Sequence, residues 1–141
     1  MDHTLDAARP PVVFADIEAA ARRLAGKAVK TPLLAYPQLE QSLGFRLLVK
    51  AETLQRTGSF KFRGACKKLM TIREKAPGAK AVVAFSSGNH AQGVALAARM
   101  LGMPALIVMP ADAPAMKIAA TRRYGAEMQL YDRLRESREQ I

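Results

Sequence analysis

The chain has 141 residues, half of them hydrophobic, and carries 22 Lys and Arg against 12 Asp and Glu, a formal net charge of +10. That length suits one domain of ordinary size, and the apolar share excludes an intrinsically disordered chain. A single cysteine, Cys66, excludes a disulfide scaffold and a multi-cysteine zinc site. No apolar run approaches the roughly 20 residues of a membrane span, and Met1-Asp2-His3-Thr4 lacks the basic-then-apolar start of a signal peptide. A reducing, cytoplasmic setting is the expectation. The positive charge is dispersed: Arg22-Arg23, Lys67-Lys68 and Arg122-Arg123 are isolated pairs inside apolar helical patterns. They read as solvated helix faces rather than as a nucleic-acid patch.

Residues 1–13, with Pro10-Pro11, read as irregular. Ile17, Ala20, Ala21 and Leu24 recur at helical spacing and predict a helix over Asp16–Ala25, with Arg22 and Arg23 in its last turn and Gly26 as its stop. Thr31–Leu34 predicts a short edge strand, Gln38–Leu43 a helical turn closed by Gly44, and Arg46–Ala51 a strand. Thr57-Gly58-Ser59 reads as a turn, with Ser59 as N-cap of a helix that places Phe62, Ala65, Cys66, Leu69 and Met70 on one face. That helix ends near Ala76-Pro77-Gly78.

The remainder is regular. Strand Ala81–Phe85, loop Ser86-Ser87-Gly88, helix Asn89–Leu101, strand Ala105–Met109, helix Pro114–Tyr124 and strand Met128–Tyr131 follow in turn, and Arg133 starts a further helix. Such alternation with short links predicts an α/β fold, a parallel sheet with crossover helices. Strands apolar on both faces fit burial between helix layers, a three-layer αβα arrangement.

Two clusters offer chemistry. Lys61 falls in the first turn of its predicted helix, where the positive helix end disfavours the ammonium form. A lysine meant to attack a carbonyl wants that environment. Position alone favours an ordinary helix start from which Lys61 reaches solvent. Ser86-Ser87-Gly88-Asn89-His90 follows a buried strand and opens a helix, where a parallel sheet presents free N–H groups to an anion. A capped strand-to-helix turn explains the same residues equally well. His90 has no second histidine at metal spacing, so no metal is expected. Cys66 lies on an apolar helix face and reads as core. Ser87 lacks the surroundings of a hydrolase nucleophile.

Together and in this order, the clusters resemble the fold-type II pyridoxal-phosphate enzymes, in the branch of threonine dehydratase (threonine ammonia-lyase) and serine racemase. The matching residues are Lys50-Ala51-Glu52, Thr57-Gly58-Ser59-Phe60-Lys61-Phe62-Arg63-Gly64-Ala65 and Ser86-Ser87-Gly88-Asn89-His90-Ala91-Gln92-Gly93. Pro114-Ala115-Met116-Lys117 and Tyr124-Gly125-Ala126-Glu127 continue the match, which covers nearly the whole chain from Asp16. The resemblance implies part of a tryptophan-synthase-β-like fold: residues 1–78 as the N-terminal part of a large cofactor domain, and 79–141 as most of a small α/β domain.

The resemblance also implies roles. Lys61 joins the aldehyde of pyridoxal 5'-phosphate and later acts as base at the substrate α-carbon. Phe60 packs beside the pyridine ring, and Asn89 binds its phenolic oxygen. Ser86, Ser87, Gly88, Asn89 and His90 hold the substrate carboxylate. Ser87 occupies the position that supplies the opposite-face acid and base in the racemase branch. The implied reaction is deamination of L-threonine or L-serine to a 2-oxo acid and ammonia, in a homo-oligomer. Alternatives are a serine or hydroxyaspartate racemase or dehydratase, and a non-catalytic remnant binding a carboxylate or a partner chain. Relatives of the resembled kind are longer and carry a glycine-rich cup for the cofactor phosphate. The nine glycines here are isolated, so an N-terminal fragment with little activity of its own is the expectation.

Overall fold

The computed structural model describes residues 12–137, 140 and 141. The expected irregular start, with His3 and Pro10-Pro11, therefore lies outside the described residues except at Val12 and Val13. Helix α1 spans Phe14–Leu24. The Asp16 carboxylate accepts the Val13 N–H at 3.0 Å, so the helix opens two residues earlier than its apolar pattern implies. Strands β1 (Leu33–Ala35) and β2 (Leu48–Lys50) form an antiparallel pair, with Leu34 opposite Val49. Helix α2 (Pro37–Leu43) lies between them.

Both strands are shorter than expected, for local reasons. Pro32 has no N–H to give a ladder. The Leu47 N–H is taken by the Glu40 carboxylate at 3.0 Å, which delays β2 to Leu48. A short 3₁₀ turn, Glu52–Leu54, follows β2.

Helix α3 (Lys61–Lys75) leads to the parallel sheet of β3 (Val82–Phe85), β4 (Ala105–Pro110) and β5 (Glu127–Tyr131), in that spatial order. Helices α4 (Asn89–Met100) and α5 (Ala115–Arg123) make the crossovers. Two successive right-handed crossovers in one direction put both helices on one face of the sheet. The core is there: Ala91, Val94, Ala95, Ala97 and Ala98 of α4 pack on Val82, Ala105, Ile107 and Met109, with Phe62, Cys66 and Leu69 of α3 closing the cluster. The other face is open along β3, with Val83 66% and Phe85 50% exposed, whereas Val108 beside Phe85 on β4 is buried. On β5 that face is polar, since Glu127 and Gln129 alternate outward. The described residues thus supply one of the two helix layers expected. The helix expected from Arg133 is represented by a hydrogen-bonded turn, in which the Arg135 and Glu136 N–H groups donate to the Asp132 carbonyl. Among the described residues no helix is long and apolar enough to cross a membrane.

One glycine sets how α3 and α4 meet. A Cβ on Gly93 would lie 3.1 Å from the Lys61 carbonyl carbon and 3.2 Å from the Phe62 nitrogen. A mid-helix glycine costs about 1 kcal/mol against alanine, and here it permits backbone contact between α4 and the first turn of α3. Gly93→Ala is expected to lower stability by about 1–2 kcal/mol, because overpacking outweighs the propensity gain. Gly93→Val should cost more. Urea denaturation of both variants measures this, and an Ala variant more stable than wild type would contradict the backbone contact.

Candidate active site

Lys61 is the first residue of α3. The chain reaches it through a turn in which Gly58 adopts φ +68°, a left-handed conformation natural to glycine. Ser59 is not the cap it was expected to be. Phe60 occupies the cap position in helical geometry, with φ −62° and ψ −16°, and its carbonyl accepts the Arg63 N–H at 3.1 Å. The chain therefore winds before any hydroxyl can reach the helix end, and the buried hydroxyls of Ser59 and Thr57 have no partner among the described residues. The Lys61 ammonium stands 4.9 Å from the centre of the Phe60 ring. Both side chains are exposed, and a cation over an exposed ring gains about 0.5–1 kcal/mol.

A polar strap fixes this helix start from behind. Arg63 donates through Nε to Glu52 Oε2 at 2.8 Å and through Nη2 to Glu52 Oε1 at 2.7 Å, a two-pronged pair. The Thr31 hydroxyl donates to the same carboxylate at 2.5 Å, and Lys50 donates to the Thr31 carbonyl. The Gln55 amide brackets Val29, accepting its N–H at 2.9 Å and donating to its carbonyl at 3.0 Å. The Arg63 hydrogen bonds, assisted by Thr31 against the cost of burial, hold the Glu52 carboxyl down at about 2. Hydrogen bonding to Glu52 in turn raises the Arg63 guanidinium. Glu52 and Arg63 belong to the matching motifs, but the pairing between them is not visible in the sequence. No periodicity links them, because the two elements that carry them are joined by an irregular turn.

The second cluster opens α4. Gly88 is buried and caps the helix, and Asn89 and His90 are its first two residues, both exposed. The Ser86 hydroxyl accepts the Gly88 N–H at 3.2 Å, so part of its hydrogen-bonding capacity shapes the turn. Ser87 is exposed. Partial burial first, and the Lys61 charge second, lower the His90 imidazole pKa and favour a neutral ring. The structure thus brings Lys61, Phe60, Asn89 and His90 to neighbouring helix starts. Ser86 and Ser87 lie beside them and line a cleft of about 430 Å³ at the carboxyl ends of the three parallel strands, with Pro110 and Tyr131 opposite. This is where open parallel sheets commonly bind ligands. Lys61 does not line that cleft.

Cys66 is fully buried, and burial pushes its thiol up, in keeping with a packing role. Among the described residues no three His, Cys, Asp or Glu side chains gather as metal ligands.

The family described as "Pyridoxal-phosphate dependent enzyme" matches residues 24–141. The L-threo-3-hydroxyaspartate ammonia-lyase of a Pseudomonas species is 57% identical over 91% of this chain and 40% of its own length. The catabolic L-threonine dehydratase of Escherichia coli strain K12 is 46% identical over 86% of this chain and 36% of its own. The crystal structure of serine racemase from Dictyostelium discoideum superposes with a TM-score of 0.83 and 37% identity, over 92% of this chain and 42% of that one. This chain spans about 40% of the length of such relatives. A family match that takes in nearly all of the described fold, α3 and the α4 turn included, makes the chain a member of the pyridoxal-phosphate-dependent enzymes.

Proposed function

We propose that this chain carries the amine-bearing and carboxylate-binding parts of an ammonia-lyase that acts on small 3-hydroxy amino acids. The observation that carries this reading is the backbone contact between Lys61 and Gly93, which brings the start of α3 against the helix that the Ser86–His90 turn opens. In the same reading the chain divides near Gly78 between a large and a small domain, and the enzyme is a cytoplasmic homo-oligomer.

The residues present fit one end of the cofactor. An exposed amine beside an exposed aromatic face, with the Asn89 amide on the neighbouring helix start, suits the aldehyde and ring of pyridoxal 5'-phosphate. The glycines form no cradle for its phosphate among the described residues, so little turnover is expected of the chain alone. When bound, the cofactor supplies an electron sink for the pair left at the α-carbon. Lys61 would hold it through its amine and would take the α-proton. Phe60 would pack against the ring, and Asn89 would donate to its phenolic oxygen. The turn from Ser86 to His90 holds the substrate carboxylate and so orients the α-carbon towards the Lys61 amine. The net reaction releases ammonia and a 2-oxo acid, with the β-hydroxyl leaving as water and a water re-entering as ammonia departs.

The 57% identity to a hydroxyaspartate lyase supports L-threo-3-hydroxyaspartate as the first substrate, ahead of L-threonine and L-serine. The exposed Ser87 hydroxyl favours a second activity, racemisation, by offering a proton carrier apart from Lys61. A chimera in which this chain replaces the matching segment of the Pseudomonas lyase tests both. Oxaloacetate and ammonia from L-threo-3-hydroxyaspartate support the lyase reading. D-serine from L-serine, lost in Ser87→Ala with 2-oxo acid release retained, supports racemisation. A folded chimera yielding neither product contradicts the reading.

A further inference from the structure

Lys117 is the third residue of α5, in the first turn of a helix whose first turn holds no acid. A cation is disfavoured there, because the unpaired N–H groups make that end positive. Its ammonium nevertheless points to the α4 turn. A Cβ on Gly88 would lie 3.0 Å from Lys117 Nζ and 3.5 Å from its Cδ. Glycine at position 88 is what leaves room for the lysine. The side chain is half-buried, and its ammonium has no carboxylate or other hydrogen-bond acceptor among the described residues.

A half-buried ammonium beside two positive helix starts, with no counter-charge, is an incomplete electrostatic arrangement. An anion seated on the α4 turn completes it. The other basic groups near the turn are otherwise engaged: Lys61 stands over Phe60 as the cofactor amine of the proposed function, and the His90 imidazole favours its neutral form. Arg133, which lines the cleft with Ser86 and Ser87, is paired with Asp112 at 2.8 Å, whereas Lys117 reaches the turn from a different helix with no such partner among the described residues.

We infer that Lys117 is a substrate-positioning residue, whose ammonium pairs with the α-carboxylate of the amino acid held by the Ser86–His90 turn. This rests on the proposed reading of that turn as the carboxylate site. It assigns the charge recognition to α5 and gives Gly88 a second purpose beyond its backbone: a side chain there would push the ammonium off the turn.

The test is a titration of the isotopically labelled chain with L-serine, with L-threo-3-hydroxyaspartate and with serinamide, which lacks the carboxylate. The amide signals of Gly88 and Asn89 and the Cε signal of Lys117 are followed by NMR. Saturable shifts of all three with both acids and not with serinamide are expected. Lys117→Gln should then weaken both acids by about 10-fold, the scale of one charge-assisted hydrogen bond, and Lys117→Arg should recover much of the loss. Unchanged amide signals elsewhere show that the variants fold. Shifts of Gly88 and Asn89 that survive Lys117→Gln at full affinity overturn the inference and leave the carboxylate turn standing. A loss confined to the dicarboxylic acid also overturns it, since the lysine would then read the side chain. No shift of Gly88 or Asn89 with either acid overturns the turn reading and this inference together.

Discussion

Lys61→Ala is expected to lose the covalent capture of pyridoxal 5'-phosphate, and in the chimera to lower release of 2-oxo acid by at least about 10³-fold, within the range for removing a positioned acid–base group. The geometry gives the reason. Lys61 combines an exposed amine, a flat aromatic neighbour at 4.9 Å and a second helix brought against its own backbone at Gly93. Lys67 and Lys68 lie on the same helix and are exposed, without that setting, and so serve as internal controls. Borohydride reduction after brief exposure to the cofactor, followed by peptide mapping, should find the label on Lys61 well ahead of both. Lys61→Arg should not rescue, because a guanidinium stays protonated and cannot form the bond. Equal labelling of the three lysines, or full turnover in a folded Lys61→Ala chimera, would show that position 61 is an ordinary helix start.

The two halves of this site differ in how far they can be read from the chain alone. The turn that opens α4 is announced locally: a run of apolar residues, two serines, a glycine and an asparagine, then alanines at helical spacing. Strand-to-helix order fixes the rest, and the structure differs by a residue or so at each end. Lys61 as the first residue of α3 is equally local. What holds it there is not. Glu52, Thr31 and Arg63 meet only after the chain has folded across β2 and the turn at Gly58. The same is true of Gly93, whose missing side chain means little until another backbone lies 3.1 Å away. Lys117 stands 29 residues from Gly88 in the chain, and only the crossover through β4 brings them into contact. Ser59 shows the opposite failure: its residue type is right for a cap, but Phe60 holds the cap position and the buried Ser59 hydroxyl makes no capping bond among the described residues. Local chemistry is legible where one segment suffices. Contacts made by topology are not.

Glu52→Gln is expected to destabilise the fold at neutral pH and to flatten its acid sensitivity. The Glu52 carboxyl titrates at about 2 in the folded chain against 4.5 for the unperturbed group. A lowered folded value means that the unfolded chain binds the proton more readily. The contribution to stability is therefore complete above 4.5 and is lost as pH falls from there towards 2. A shift of that size corresponds to at most about 3 kcal/mol, because solvent reaches a carboxylate that is 17% exposed and a guanidinium that is 30% exposed and screens the pair. Urea denaturation across this range should show wild type losing stability over the variant's profile, the two converging near pH 2. The loss should be felt at the site, because the strap ties Val29, Thr31 and Gln55 to the helix start that carries Lys61. In Glu52→Gln the amide keeps the shape but loses the charge that holds both prongs of Arg63, so selective labelling of Lys61 over Lys67 should weaken as well. Arg63→Gln should produce the same weakening together with a larger stability loss, since it leaves a carboxylate partly buried beside Thr31 without its cation. A Glu52→Gln variant with wild-type stability at neutral pH and an unaltered acid profile would mean that the strap is incidental and that the Gly93 contact alone positions the lysine.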